Sequence, residues 1–164
     1  MELWDGYDID GNKLDIDLVR GEPIPDGVYH LVAEVLVRHT DGSYLVMRRD
    51  LEKKQYGGYW EAGAGGSVLK GETALEGAKR ELFEETGIRA QNLEYLSTLA
   101  EKNILFTTYL CTTGWSKKGI ALQAGETIDF FWLSHAQLLD FMDTPEFAPP
   151  VAARVRPLLA RLGE

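Results

Sequence analysis

The chain has a single cysteine, Cys111, which excludes an internal disulfide framework. It lies in the apolar run ILFTTYLCTT, where a small buried hydrophobe is a better reading than a reactive thiol. No apolar run approaches the roughly 20 residues that a membrane span needs. The opening MELWDGYDID is acidic where a secretory signal would be basic and then apolar. The reading therefore expects a cytoplasmic protein with neither leader nor membrane segment. Basic residues are short as well, 17 lysines and arginines against 26 aspartates and glutamates, for a net charge of −9. That deficit argues against nucleic acid as a partner, since such binding rests on neutralised phosphates. A small phosphorylated substrate stays open, because one metal ion or a few lysines reverse the local sign. RRDLEKK offers such a cluster in Arg48, Arg49, Lys53 and Lys54, and it reads equally as a solvated loop. The three histidines, His30, His39 and His135, show no mutual metal spacing. There is no repeat, low-complexity tract or linker.

What remains is the composition of an ordinary globular chain, 45% apolar and 26% charged. Its length fits one domain over 1–164, with a hairpin extension at 1–27 and a core at 28–164. LWDGYDI and KLDIDLV flank Asp10-Gly11-Asn12 as a β-hairpin. VYHLVAEVLVRH and SYLVMRR read as strands turned by Asp41-Gly42. QYGGYWEAGAGG is too rich in glycine for helix and reads as a loop with a short strand near Tyr59-Trp60. LEYLSTLAE, ILFTTYLCTT and TIDFFWL are further strands. Ser134 with Gln137 caps a short helix, and Pro149-Pro150 opens a last one that Pro157 should kink. Strands interrupted by one central helix and closed by two more imply an α+β fold with a mixed sheet covered on its faces.

The central helix is the clearest element. Thr73 and Glu76 form a capping box, and Gly87 suits the left-handed residue after the end. Leu75, Ala78 and Leu82 make its apolar stripe, and Glu76, Arg80 and Glu84 pair favourably at spacings of four. Its end, RELFEETGI, crowds Glu81, Glu84 and Glu85 at helical neighbour spacings. Each like-charged pair there should cost roughly 0.2–0.5 kcal/mol, and the helix dipole adds about 0.3–1 kcal/mol against acids at this end. Their carboxylates project from one side of the helix end, where they can share a hard divalent cation that relieves the repulsion.

Gly66, Glu72, Arg80-Glu81-Leu82, Glu84-Glu85 and Gly87-Ile88 together resemble the Nudix box, G-x5-E-x7-R-E-U-x-E-E-x-G-U with U apolar, at every specified position. At average residue usage such a match has a chance of roughly one in a billion at a given start. The resemblance implies a Nudix-type α/β/α sandwich and a pyrophosphohydrolase using Mg²⁺, with Mn²⁺ as a substitute. It implies Glu81, Glu84, Glu85 and the carbonyl of Gly66 as metal ligands. Arg80 would orient the glutamates, with Glu72 as its structural partner. The general base varies in the family, so Glu81 stays open beside Glu126, which is preferred here over Asp129 and Glu101 because a loop residue can reach the site.

The implied substrate is a nucleoside diphosphate linked to another group. WDGYD…RGEPIPDGVYH is also similar to the isopentenyl-diphosphate-isomerase-like branch. That branch needs a cysteine in the loop after the tryptophan and histidine ligands. Here Ala64 and Gly65 stand there, so isomerisation is not expected. AEKNILF lacks the proline of ADP-ribose pyrophosphatases, and Tyr109 lies too far along for dinucleoside polyphosphate cleavage. A non-catalytic ligand-binding module is the other alternative, against which the intact box speaks. Tyr56, Tyr59 and Trp60 are candidates to stack a base or sugar. The hairpin is read either as a homodimer surface or as a flank of the pocket.

Overall fold

The computed structural model describes residues 1–163. Nine strands run β1 (Leu3–Tyr7), β2 (Lys13–Val19), β3 (His30–His39), β4 (Tyr44–Arg49), β5 (Trp60–Ala62), β6 (Ala64–Ser67), β7 (Glu94–Glu101), β8 (Ile104–Thr113) and β9 (Thr127–Leu133). Helix α1 (Ala74–Thr86) falls between β6 and β7, and α2 (His135–Met142) and α3 (Pro149–Leu162) follow β9. β1 and β2 form a separate antiparallel hairpin. The other seven strands make one sheet, in the order β5-β4-β3-β8-β7, with β6 on β3 and β9 on β4. β3 and β8 are parallel and their neighbours antiparallel, so the sheet is mixed.

Alternation along the central strands fixes the layers, because successive side chains leave a strand on opposite faces. Ala33, Val35 and Val37 of β3, Leu45 and Met47 of β4, and Leu105, Tyr109 and Cys111 of β8 join Ala78 and Leu82 of α1 in one core. Leu36, Tyr44, Val46 and Leu110 point the other way, onto Leu138, Val151, Val155 and Leu159 of α2 and α3. The result is helix, sheet, helix. Cys111 is buried in the first core. Among the described residues no helix is long and apolar enough to cross a membrane.

The central helix starts and stops where the sequence indicates. Thr73 and Glu76 exchange both capping-box bonds, and Gly87 follows at φ 81°. Ser134 and Gln137 do the same for α2. Three expectations need correction. The glycine-rich stretch has its short strand near Trp60 as β5 but is not otherwise a loop, since it also carries β6, with Gly66 paired to Ala33 on β3. Leu75 is exposed, and the buried face of α1 is made instead by Gly77, Ala78, Leu82, Glu85 and Thr86. Glu76 gives its carboxylate to the backbone N–H of Thr73 rather than to Arg80. The helix α3 continues through Pro157 to Leu162.

The hairpin docks on the segment that leads into α1. Lys70 N–H donates to the Leu3 carbonyl, Gly71 N–H to buried Asp5, and Tyr7 and Tyr29 exchange backbone bonds. Trp4 and Leu18 of the hairpin pack on Val28, with Leu69 alongside.

Candidate functional site

Arg80, on the second turn of α1, organises the corner between β6 and the helix. Its guanidinium donates to both oxygens of Glu72 (2.7 and 3.0 Å), to the Ser67 carbonyl (3.0 Å), to Glu81 (2.8 Å) and to Glu84 (3.3 Å). Glu72 also accepts from Leu69 N–H. Burial pushes the Glu72 carboxyl up, but the bonds from Arg80 and Leu69 outweigh it and the net shift is down. Arg80 is the counter-charge for three acids at once.

The acids differ in their surroundings. Glu85 is 5% exposed and accepts Gly65 N–H at 2.8 Å. Burial, then the nearby Glu61 carboxylate, raises its pKa well above the ordinary range. Glu81 is raised too, chiefly by burial and partly offset by Arg80. Glu84 is 40% exposed at its side chain and turns outward to Arg80. Gly66 stands against the Glu81 carboxyl so closely that a Cβ there would lie 2.5 Å from it. Among the described residues no three acidic, histidine or cysteine side chains are gathered round one point. The donor set fits a hard cation all the same. It offers only oxygens, the close approach needs glycine at 66, and desolvation raises the pKa values of two neighbouring carboxylates, Glu81 and Glu85.

These groups open on a cleft of about 1420 Å³. Glu126, on the loop before β9, lines it and pairs with Lys53 at 2.6 Å, while Asp129 is exposed on β9 and bonds the backbone of Phe130. Arg48 and Arg49 end β4 rather than lying in a solvated loop. Arg49 pairs with Glu61 at 3.3 Å and Arg48 donates to the Gly58 carbonyl. Glu101, at the end of β7, joins Glu34 in holding buried Arg154 of α3. His39 lies at the Trp115 carbonyl and His135 against Tyr44, both outside the cleft lining. Trp60 is buried among Phe131 and Phe141, so it packs the loop and presents no face to a ligand. Ala64 is buried and Gly65 is committed to Glu85, so no nucleophile stands at the isomerase position.

Sequence reasoning did not find Glu34, Glu61, Arg154, His30, Glu2, Trp4 or Arg20, all of which line the cleft. They arrive from the hairpin and its flanks, β3, β5 and α3, and none carries a local spacing signal. His30 is 7% exposed, stacks on Trp4 at 4.1 Å and leaves Nδ1 without a partner among the described residues. Glu2 accepts from Trp4 Nε1 and Arg20. The hairpin therefore flanks the cleft.

The pattern of the NUDIX domain matches residues 28–155. An uncharacterised Nudix hydrolase of Listeria innocua is 29% identical over 154 residues, covering 91% of this chain and 89% of its own. A crystal structure of a Deinococcus radiodurans protein superposes with a TM-score of 0.79 at 19% identity, over 95% of this chain and 98% of that one. The NUDIX domain of Shewanella oneidensis NrtR, crystallised with ADP-ribose, aligns with a TM-score of 0.65 at 18% identity, over 82% and 88%. At these identities the two structures speak for the fold alone.

Proposed function

The chain belongs to the Nudix hydrolases, and on that premise we propose that it cleaves a phosphoanhydride bond in a nucleoside diphosphate linked to another group. The observation that carries this reading is the pair Glu81 and Glu85, two carboxylates from successive turns of α1 with raised pKa values. They sit beside the backbone of Gly65 and Gly66 at the cleft. Glu81, Glu84, Glu85 and the Gly66 carbonyl would hold Mg²⁺, with Mn²⁺ as a substitute. When bound, the ion neutralises phosphate charge and relieves the repulsion among the carboxylates.

The chain's own residues supply the rest. Arg80, clamped by Glu72, fixes the orientation of Glu81. Gly65 N–H donates to Glu85 and fixes where its carboxyl oxygen lies. Glu126 lies at the mouth of the cleft, 41% exposed at its side chain, and would take the proton of the attacking water as the anhydride opens. Lys53 holds Glu126 toward the cleft in the meantime. The ADP-ribose bound by the Shewanella domain supports a nucleotide-derived substrate, a small phosphorylated molecule. Ala64 and Gly65, neither a nucleophile, stand where the isomerase branch needs its cysteine, which favours hydrolysis over isomerisation.

A screen of phosphate and nucleotide release across nucleoside diphosphate derivatives, with and without Mg²⁺, tests the reading. At least one compound should turn over only with the ion. Glu85→Gln should abolish that turnover and Glu81→Gln reduce it by about 100-fold or more, as removal of several kcal/mol of transition-state stabilisation implies. Full activity in the Glu85 variant would sink the metal-site assignment.

A further inference from the structure

Three aromatic rings besides His30 line the cleft: Trp4, Tyr56 and Phe106. Two of them are already occupied. Trp4 is 7% exposed and lies flat on His30, with 14° between the planes. Phe106 carries the Arg154 guanidinium 3.8 Å from its centroid. Tyr56 is different: it is 42% exposed and touched edge-to-face by Tyr59 at 5.3 Å. It is the cleft ring with surface left for a ligand.

The loop that carries it is built to hold it still. Tyr56 has φ 52°, in the left-handed region that a residue with a Cβ seldom adopts. Such strain persists only where the surroundings over-determine it, and it gathers at ligand clamps. The surroundings here do so. Gly58 N–H donates to the Arg49 carbonyl, Tyr59 N–H to the Tyr56 carbonyl, and Arg49 Nε to the Gln55 carbonyl. At Gly57 a Cβ would stand 2.7 Å from the carbonyl oxygens of Leu51 and Lys53, so the turn closes only around glycine. The same turn presents Lys53 to Glu126. Tyr56 and the Lys53 that pairs with Glu126 are thus carried on one turn.

We propose that Tyr56 is the platform on which the aromatic group of the substrate stacks, the base of a nucleoside diphosphate derivative. The proposal rests on the hydrolase reading above and names the residue that selects among its substrates. A rigid tyrosine loses little conformational entropy on binding, and every base has a π-face to offer it.

Calorimetric titration with two non-hydrolysable probes in Mg²⁺ separates the contributions. Methylenebisphosphonate carries the diphosphate alone, and α,β-methylene-ADP carries the diphosphate and an aromatic base. The whole protein should bind the nucleotide analogue at least about tenfold tighter, the range that base stacking supplies. Tyr56→Ala should shrink that ratio to about threefold or less while leaving methylenebisphosphonate affinity within about twofold, which a folding defect would not do. Tyr56→Phe should keep the ratio. Tyr56→Gly, which relieves the backbone, should lose it as alanine does. A wild-type ratio in Tyr56→Ala, or equal affinity of the whole protein for both probes, overturns the platform and leaves the diphosphate reading standing. Failure of the protein to bind either probe overturns both.

Discussion

Glu85 sits where a carboxylate is least at ease, buried beside Glu61 and Glu81 with one N–H for company. Replacing it with glutamine keeps an acceptor for Gly65 and removes the charge. The metal-free Glu85→Gln protein should therefore melt at the same temperature or higher, while Mg²⁺ raises its melting temperature less than that of wild type. The metal-free Glu84→Gln protein should stay equally stable or gain only slightly, since Glu84 is half-exposed and paired with Arg80, while Mg²⁺ should again raise its melting temperature less than that of wild type. His30 gives a second test. Burial, then the nearby Arg20, lowers its pKa from 6.5 to about 4. The unfolded chain takes up a proton below pH 6.5 that the folded chain refuses until near 4. Stability from this group is therefore complete above 6.5 and falls toward 4, by up to roughly 3 kcal/mol. His30→Phe keeps a ring against Trp4 and removes the titration. Melting curves across that pH range should show the variant losing less than wild type, and parallel losses would refute the argument.

At the scale of elements, the junction of β6 and α1 is what turns a run of acids into a site. β6 lies flat on β3 through Gly65 and Gly66, and α1 enters on a complete capping box. The missing side chain at 66 lets Glu81 come down on the strand. Gly66→Ala would place a Cβ 2.5 Å from the Glu81 carboxyl, the far end of a flexible side chain. The fold should survive, because Glu81 can swing away. Turnover should not, since a displacement of about 1 Å at a reacting group can cost on the order of 100-fold. A far-ultraviolet spectrum like wild type with activity reduced tenfold or more (an order-of-magnitude expectation) would bear this out; unchanged kinetics would contradict it. The glycine-rich stretch misled as a loop because β6 is held by its partner: Ala64–Ser67 gain their strand geometry from Val32–Val35. Leu75 misled for the opposite reason. Its spacing fits the apolar stripe, but Gly77 lets Val68 close on the helix and shifts the buried face toward Glu85.

At the scale of the molecule, the hairpin flanks the cleft and braces the segment before α1. Asp5 is 4% exposed and holds Gly71 N–H and Lys13. Asp5→Ala should cost about 1.5–3 kcal/mol by removing the charged acceptor of the Gly71 N–H bond. If hairpin and core form one cooperative unit, as we propose, calorimetry will show a single transition that moves as a whole. Two separated transitions would mean that residues 1–27 fold apart. The sequence by itself determined the family motif, the two capping boxes, the helix ends and most strands, because these rest on interactions between residues a few positions apart. It also singled out Glu81, Glu84, Glu85, Gly66, Arg80 and Glu126. Only the tertiary structure decided that Glu84 faces outward, that Glu61, Glu34 and Arg154 share the cleft, and that Trp60 is packing while Tyr56 is exposed. Those outcomes depend on which distant strands and helices meet, and on how much water each contact leaves, neither of which leaves a periodic trace in the chain.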